Sequence, residues 1–252
     1  MIQVKNVSFS YEKKQVLHDL SFSIPKGKIT TILGQNGCGK STILGLMTKN
    51  RKVQQGEILV QERNLKSYSL REFSRLAAVV AQYNTAPESI TVEQLVAYGR
   101  LPYFGMPKER KEDSACIQRA LQVTNLMDIR GEQVSKLSGG QMQRVWIAMA
   151  IAQNTKVLFL DEPTTYLDIY YQLEVLKLIK ELNETLGLTI VMILHDLNQA
   201  IHYSDHIVAL KGGKTYFEGT PQEFVKDEHI QEIYHVDLKL LFYEGKQYAL
   251  TI

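Results

Sequence analysis

A glycine-rich octapeptide, Gly-Gln-Asn-Gly-Cys-Gly-Lys-Ser, occupies residues 34–41. It follows the β-rich run Ile29 to Leu33 and precedes a segment of helical character that begins near Ser41. Small residues let the backbone N–H groups of such a loop turn inward and approach an anion closely. The N-terminus of the following helix directs its partial positive charge at the same anion. The octapeptide therefore predicts a loop that binds the phosphate groups of a nucleotide, within an α/β domain.

Individual residues of this loop have distinct predicted roles. Lys40 would place a full charge on the β- and γ-phosphates of ATP, and the Ser41 hydroxyl would coordinate Mg²⁺. An ordinary glycine turn before a helix is the alternative, and the complete motif in this context argues against it. The predicted nucleotide-binding residues of the loop are Gly34, Asn36, Gly37, Cys38, Gly39, Lys40, Ser41 and Thr42.

An acid pair, Asp161-Glu162, comes directly after the apolar run Val157 to Leu160. A buried strand that ends in an acid delivers that acid to the edge of an α/β sheet where ligands bind. We expect Asp161 to hold Mg²⁺ through water, and Glu162 to orient or deprotonate the water that attacks ATP. An acid-rich surface turn is the alternative, which would be favoured if no phosphate loop preceded the pair.

Composition narrows the class of protein. The net charge of +2 over 252 residues gives no basis for nucleic acid as the main partner. Two cysteines, Cys38 and Cys116, are too few for a disulfide framework and suggest a reducing compartment. The sequence has no signal peptide pattern and no apolar run of the roughly 18 residues that span a bilayer. We expect a soluble chain that reaches a membrane only by docking on an inserted partner.

Hydrophobic patterning predicts how the chain is organised. Alternating patterns at 2–9 and 16–24 predict an N-terminal antiparallel β subdomain. Helical patterning over 91–125 predicts a helical insertion, at approximately 83–150, in an α/β body. The predicted fold is one α/β domain over 1–252 with a mixed sheet core, of the type found in phosphate-loop nucleotide hydrolases.

The segment Leu137-Ser138-Gly139-Gly140-Gln141 is identical to the signature of ATP-binding cassette (ABC) proteins, and the chain resembles that family over nearly its whole length. The other motifs of the family occur in the expected order. They are Tyr11 for the aromatic that stacks on adenine, Gln82 for the glutamine after the strand 76–81, Asp161-Glu162 for the acid pair, Thr165-Tyr166-Leu167-Asp168 for the D-loop, and His195 for the switch histidine after the strand 189–194.

Most members of this set have a plainer alternative when taken alone. Tyr11 could be a core aromatic, Gln82 a solvated loop residue, and His195 a structural histidine. Ser138 could cap a helix, a role that does not conflict with ligand binding. The order of the complete set argues for the functional interpretation.

The resemblance implies a mechanism in which two cassettes close head to tail around two ATP molecules. Ser138 and Gly140 of one chain would bind the γ-phosphate held by the phosphate loop of the other, in an ATP-dependent homodimer. Within its own chain, His195 would contact the γ-phosphate, and Gln82 would sense it together with Mg²⁺. The implied roles are catalysis by Glu162, His195 and Gln82, Mg²⁺ coordination by Ser41, Gln82 and Asp161, and nucleotide binding by Tyr11, Ser138, Gly139, Gly140, Gln141 and Asp168 in addition to the loop.

Finer features resemble one subgroup, the importers of iron–siderophores and vitamin B12. These are Cys38 in the phosphate loop, Tyr166 before the leucine of the D-loop, and the segments 98–103 and 144–150. The resemblance implies a peripheral ATPase on the cytoplasmic face of the cell membrane. Two transmembrane permease subunits, as a homo- or heterodimer, would be its partners, and a substrate-binding lipoprotein would act indirectly. Cobalamin and haem are the alternative cargoes to an iron–siderophore complex.

The segment from Gln82 to Phe104 would receive the permeases. Its anchors would be Tyr98, Leu101, Tyr103 and Phe104, unless these side chains pack inside the helical insertion. Two other classes of protein compete with the importer. One is a single-cassette ATPase that remodels nucleic acid or ribosomes, and the other is a scaffold for iron–sulfur assembly.

Overall fold

A computed structural model describes residues 1–105, 110–225, 229–236, 238–243 and 245–251. Its strands, in chain order, are β1 (Ile2–Tyr11), β2 (Lys14–Ile24), β3 (Ile29–Gly34), β4 (Gln55–Val60), β5 (Arg63–Asn64), β6 (Ala77–Val80), β7 (Val157–Leu160), β8 (Thr189–Ile193), β9 (His206–Lys211), β10 (Lys214–Gly219), β11 (Leu238–Tyr243) and β12 (Lys246–Thr251). Its helices are α1 (Lys40–Met47), α2 (Leu70–Leu76), α3 (Val92–Ala97), α4 (Arg110–Val123), α5 (Gly139–Ala152), α6 (Ile169–Leu186), α7 (Leu197–Tyr203), α8 (Pro221–Phe224) and α9 (His229–Tyr234). Short 3₁₀ helices occur at Leu65–Ser67, Tyr98–Tyr103, Met127–Ile129 and Val134–Lys136.

The chain divides into two compact units. The first comprises Met1–Tyr68 and Thr189–Ile252, and the second comprises Ser69–Leu188. The predicted helical insertion, 83–150, falls in the second unit, and residues 106–109 of it lie outside the described residues. The first unit carries residues 34–41 and His195. The second carries Gln82, the acid pair Asp161-Glu162 and the segment 137–141.

An antiparallel sheet in the first unit confirms the N-terminal β subdomain. Its strand order is β2-β1-β4-β5. At the start of the first strand, residues 2–5 alternate between buried and exposed, and the register places the buried ones opposite buried residues of both neighbours. The buried pairs are Ile2 with Ile24 and Val60, and Val4 with Phe22 and Ile58. Burial of one face in this way is what the period-two pattern requires.

A second sheet in the first unit positions two of the predicted motifs. Strand β3 pairs in parallel with β8 on one side and β9 on the other, and β10 joins β9 antiparallel, so the sheet is mixed. All residues of β3 and β8 are buried, as expected for parallel strands that are covered on both faces. Because β3 and β8 run in the same direction, the phosphate loop and His195 leave the sheet at the same edge.

A parallel strand pair and several helices make up the second unit. Strand β6 pairs in parallel with β7, and the last pair in register is Val80 with Leu160. Helix α6 buries a stripe at Val175, Leu176, Ile179 and Leu182, the spacing of an amphipathic helix. None of the helices in the described ranges is long and apolar enough to cross a bilayer.

Candidate functional site

The phosphate loop adopts backbone conformations that its glycines allow. Gly34, Gly37 and Gly39 have φ values of 141°, 79° and 108°. Gly39 immediately precedes α1, and its carbonyl oxygen accepts a hydrogen bond of 2.9 Å from the amide of Ile43. A Cβ atom at Gly39 would lie 2.5 Å from Cδ2 of Leu17. Both the positive φ and the close packing therefore require glycine where the loop enters the helix.

Lys40 places its charge against the loop itself. Its side chain is only 5% exposed, and the ammonium donates hydrogen bonds of 2.8 Å to the carbonyl oxygen of Gly34 and 3.1 Å to that of Gln35. A buried ammonium is tolerated only when its protons have acceptors. The carbonyl oxygens of Gly34 and Gln35 thus hold the Lys40 ammonium within the loop. The phosphate oxygens of a bound nucleotide would compete with them for the protons of that ammonium.

The remaining loop residues divide into an exposed set and a buried set. Asn36, Gly37 and Ser41 are exposed, whereas Cys38 and Thr42 are buried. Burial raises the pKa of the Cys38 thiol, and the charge of Lys40 opposes that shift. The thiol is therefore protonated at neutral pH and packs as a small apolar group beneath the loop. Of the predicted side-chain ligands, Ser41 is open to solvent at the start of α1.

Tyr11 is connected to the start of α1. Its hydroxyl lies 3.3 Å from Oγ1 of Thr42, and the guanidinium of Arg51 lies 4.7 Å from the centroid of its ring. The ring also packs edge-on against Phe9 at 5.0 Å. Since Tyr11 is 38% exposed, a ring face is available for the predicted adenine contact.

In the second unit, strand register brings Gln82 to Glu162. Each residue lies two positions beyond the last pair in register, Val80 with Leu160. The side-chain amide of Gln82 donates a hydrogen bond of 2.6 Å to Oε2 of Glu162. The amide of Asp161 donates a 2.9 Å hydrogen bond to the carbonyl oxygen of Val80, which extends the ladder by one residue. Three predicted site residues therefore meet at the carboxyl end of β6 and β7.

The backbone is strained at Glu162 and again at Tyr166. Glu162 and Tyr166 have φ values of 52° and 65°, a left-handed region that costs non-glycine residues about 1–2 kcal/mol. Side chains hold this turn in place. The hydroxyl of Thr165 donates to Oε2 of Glu162 at 3.1 Å, and the hydroxyls of Tyr83 and Tyr166 lie 2.7 Å apart. The position of the Glu162 carboxylate is thus defined by contacts on both sides of the strand pair.

The signature segment begins a helix, as predicted. Ser138 caps α5, since its hydroxyl accepts a hydrogen bond of 3.3 Å from the amide of Gln141. The side chain of Gln141 accepts in return from the amide of Ser138 at 3.0 Å. This capping box satisfies two of the free N–H groups at the helix start. Ser138 and Gly139 are exposed, whereas Gly140 is buried.

Helix α6 supports the signature from behind. A Cβ atom at Gly140 would lie 2.3 Å from Cδ1 of Tyr171, so the tyrosine ring requires glycine at this position. At Gly139 the nearest atom would be Cδ2 of Leu167, at an ordinary contact distance of 3.5 Å. Asp168 caps the same helix, with Oδ1 accepting a hydrogen bond of 3.0 Å from the amide of Tyr171. Nothing in the motif spacing pointed to Tyr171, because its contact depends on how two helices pack.

His195 is exposed and follows β8 directly. The next residue, Asp196, caps α7 by accepting a hydrogen bond of 2.7 Å from the amide of Gln199. The strand end and the capped helix therefore fix the backbone on both sides of His195. The imidazole lies at the same sheet edge as the phosphate loop, as the predicted γ-phosphate contact requires.

The predicted Mg²⁺ ligands are all oxygen donors, the type that Mg²⁺ prefers. They are the hydroxyl of Ser41, the amide oxygen of Gln82 and the carboxylate of Asp161. Among the described residues, no group of three histidine, cysteine or acidic side chains could hold a metal by itself. Mg²⁺ usually combines a few protein oxygens of this type with the oxygens of a nucleotide's phosphates.

Comparison with known proteins gives consistent matches. The family model described as ABC transporter matches residues 17–165. A probable siderophore transport system ATP-binding protein of Bacillus subtilis, YusV, is 42% identical, over 95% of this chain and 87% of its own length. A solved structure described as an inward-facing, metal-chelate type ABC transporter is 30% identical, with a TM-score of 0.82 over 100% of this chain and 96% of the other. A dimeric bacterial ABC transporter cassette is 29% identical, with a TM-score of 0.74 over 88% and 99%.

These matches agree with the geometry of the loop, the acid pair and the capped signature. ABC cassettes bind ATP and hydrolyse it, and the predicted activity is confirmed by the relationship. The chain belongs to the ABC transporter family and is an ATP-binding, ATP-hydrolysing member of it.

Proposed function

We propose that this chain is the ATPase subunit of an importer for iron–siderophore complexes. The observation that carries the proposal is the similarity, over 95% of this chain, to a siderophore transport system ATP-binding protein. The 2.6 Å hydrogen bond from Gln82 to Glu162 fits such a role, because it joins the residue expected to respond to the transport machinery with the residue expected to activate water. The 42% identity to a siderophore transport relative and the similarity to a metal-chelate type transporter support the cargo class.

Hydrolysis would use the predicted site residues. Lys40 and the N–H groups of the phosphate loop would bind the β- and γ-phosphates, and Tyr11 would contact adenine. Glu162 would accept a proton from the attacking water, and His195 would contact the γ-phosphate. Mg²⁺, held by Ser41, Asp161 and Gln82, would neutralise charge on the phosphate oxygens.

A second copy of the chain would complete each site. The N-terminus of α5 is capped by Ser138 and exposed at Ser138 and Gly139, and a helix start of this kind can bind an anion. Gly139, Gly140 and Gln141 continue this turn. We infer that it binds the γ-phosphate held by the partner copy, with Asp168 close to the same interface. The similarity to a dimeric cassette supports an ATP-dependent homodimer.

An apolar surface in the second unit would receive the membrane partners. Tyr98, Leu101 and Phe104 are 46%, 62% and 72% exposed. Tyr103 follows the alternative of packing inside the helical insertion, because it is only half-exposed and its hydroxyl donates a hydrogen bond of 3.1 Å to the carbonyl oxygen of Gln153. Arg71 stabilises the surface by donating to the carbonyl oxygens of Pro102 and Phe104. Three exposed apolar side chains on a stabilised turn are suited to anchoring short helices of two permease subunits.

The proposal also covers organisation and location. Residues 1–252 would form one cassette, with the helical insertion at about 83–150 presenting the docking surface. The subunit would act at the cytoplasmic face of the cell membrane. A substrate-binding lipoprotein would deliver the iron–siderophore complex to the permeases and would not touch this chain.

Purification from native membranes tests the docking surface. The wild-type chain should be recovered with two polytopic membrane subunits, and the Leu101→Asp, Phe104→Asp double variant should lose them. Leu241→Asp is the matched control, since Leu241 is 48% exposed in the first unit. It should retain the membrane subunits. Recovery of the wild-type chain with soluble partners only would contradict the proposal.

A further inference from the structure

The phosphate loop is contacted by a residue far from every motif. Tyr234 is the last residue of α9, and its hydroxyl accepts a hydrogen bond of 3.2 Å from the amide of Gly34, 200 residues earlier in the chain. Gly34 is the first residue of the loop, and its carbonyl oxygen accepts the 2.8 Å hydrogen bond from Lys40. The tyrosine and the lysine therefore hold Gly34 through its two backbone polar groups.

The surroundings of Gly34 leave little space for another donor or acceptor. A Cβ atom there would lie 2.4 Å from the carbonyl oxygen of Leu210 and 2.6 Å from Sγ of Cys38. Gly34 is itself buried, and the tyrosine hydroxyl is an acceptor for its amide. A buried N–H group that loses its acceptor costs about 1–3 kcal/mol. Burial also raises the pKa of Tyr234 to about 12, so the hydroxyl is neutral at physiological pH.

We propose that Tyr234 is a positioning residue for ATP binding. Its hydroxyl fixes the position of Gly34 by accepting a hydrogen bond from the amide. Because the carbonyl oxygen of Gly34 binds the Lys40 ammonium, the tyrosine also helps to position that ammonium beside the phosphates. The C-terminal part of the chain thereby contributes to nucleotide affinity. The inference rests on the proposed binding of ATP phosphates by residues 34–41.

Steady-state hydrolysis by the full chain tests this role. Tyr234→Phe keeps the ring and its packing and removes only the hydroxyl. We expect the KM for ATP to rise about five- to tenfold, the lower part of the range for an unsatisfied buried N–H group, with kcat within about twofold of wild type. Tyr243→Phe is the control, because Tyr243 is exposed on the C-terminal hairpin, and both constants should stay unchanged. An unchanged KM in Tyr234→Phe, or an equal loss in kcat, would overturn the proposal.

The reactivity of Cys38 provides a second readout that does not depend on turnover. Cys38 is buried under the loop, whereas Cys116 is half-buried in the second unit and serves as an internal reference. A loosened loop should expose Cys38, so its alkylation by N-ethylmaleimide relative to Cys116 should be faster in Tyr234→Phe than in wild type. An unchanged ratio would contradict the role of Tyr234.

Lys40→Ala separates this inference from the assignment of the loop. If Lys40→Ala loses ATP affinity and Tyr234→Phe does not, the loop assignment stands and the role of Tyr234 is wrong. If Lys40→Ala binds ATP as tightly as wild type, the loop assignment fails first. Loss of affinity in both variants, with kcat retained only in Tyr234→Phe, supports the inference.

Discussion

Gln82 and Glu162 are joined by a hydrogen bond of 2.6 Å at the carboxyl end of two parallel strands. Oε2 of Glu162 accepts from both Gln82 and Thr165, so this oxygen is occupied in the structure. A movement of Gln82 would therefore change which protons the carboxylate can accept. The pairing gives a physical route by which docking near the Gln82 segment would reach the water-activating group.

Replacing Glu162 with glutamine removes the proposed base and keeps the size of the side chain. We expect kcat for ATP hydrolysis to fall by about 10²- to 10⁴-fold, the usual contribution of a general base. Binding of ATP should be retained, because the phosphate contacts come from the loop. Sedimentation with ATP should then show a stable dimer of the variant.

The matched control for that substitution is Glu184→Gln, which makes the same chemical change on the exposed face of α6. It should hydrolyse ATP at the wild-type rate. Turnover by Glu162→Gln at the rate of this control would show that another group acts as the base.

Gly140→Ala tests the support of the signature by α6. The added methyl group would lie 2.3 Å from Cδ1 of Tyr171, whereas the equivalent atom in Gly139→Ala meets nothing closer than 3.5 Å. We expect Gly140→Ala to lower the free energy of unfolding by about 1–3 kcal/mol, the cost of overpacking, and Gly139→Ala to cost less. Chemical denaturation measures both values. Equal effects of the two substitutions would show that Tyr171 does not confine the signature helix.

The pKa of Tyr234 predicts a dependence of stability on pH. Burial raises this pKa from 10.0 to about 12, while the hydrogen bond from Gly34 opposes the shift. The stabilising effect of the protonated hydroxyl is fully present below pH 10 and is lost as pH rises from about 10 to 12, at up to about 1.4 kcal/mol per unit. The difference in free energy of unfolding between wild type and Tyr234→Phe should therefore be smaller at pH 11.5 than at pH 9. A constant difference would mean that the hydroxyl is not buried as described.

Sequence patterns predict those site residues whose chemical type is needed at a fixed position relative to a recognisable strand. Lys40 and Glu162 are of this kind, because each follows a buried strand whose apolar run can be recognised directly. Other contacts depend on packing between distant segments. Tyr171 meets Gly140 and Tyr234 meets Gly34 only because separate helices pack there, and neither contact leaves a periodic signal.

Local contacts decide one alternative that the sequence leaves open. Tyr103 packs inward, because its hydroxyl donates a hydrogen bond to the carbonyl oxygen of Gln153 and the guanidinium of Arg100 lies 4.0 Å from its ring centroid. The helix after the phosphate loop, predicted to begin near Ser41, extends from Lys40 to Met47. Lys49 has a φ of 62°, which is incompatible with a continuing α-helix.

Uptake of radioactive iron by intact cells tests the central claim most directly. Cells should carry this chain either as wild type or as Glu162→Gln, and should be offered ferric hydroxamate and ferric catecholate siderophores, haem and radiolabelled cobalamin in parallel. The proposed function predicts that import of at least one iron–siderophore complex is lost in the variant and present with the wild-type chain, while cobalamin and haem import are unchanged. Normal uptake of every siderophore tested, together with loss of cobalamin or haem import, would contradict the proposed cargo.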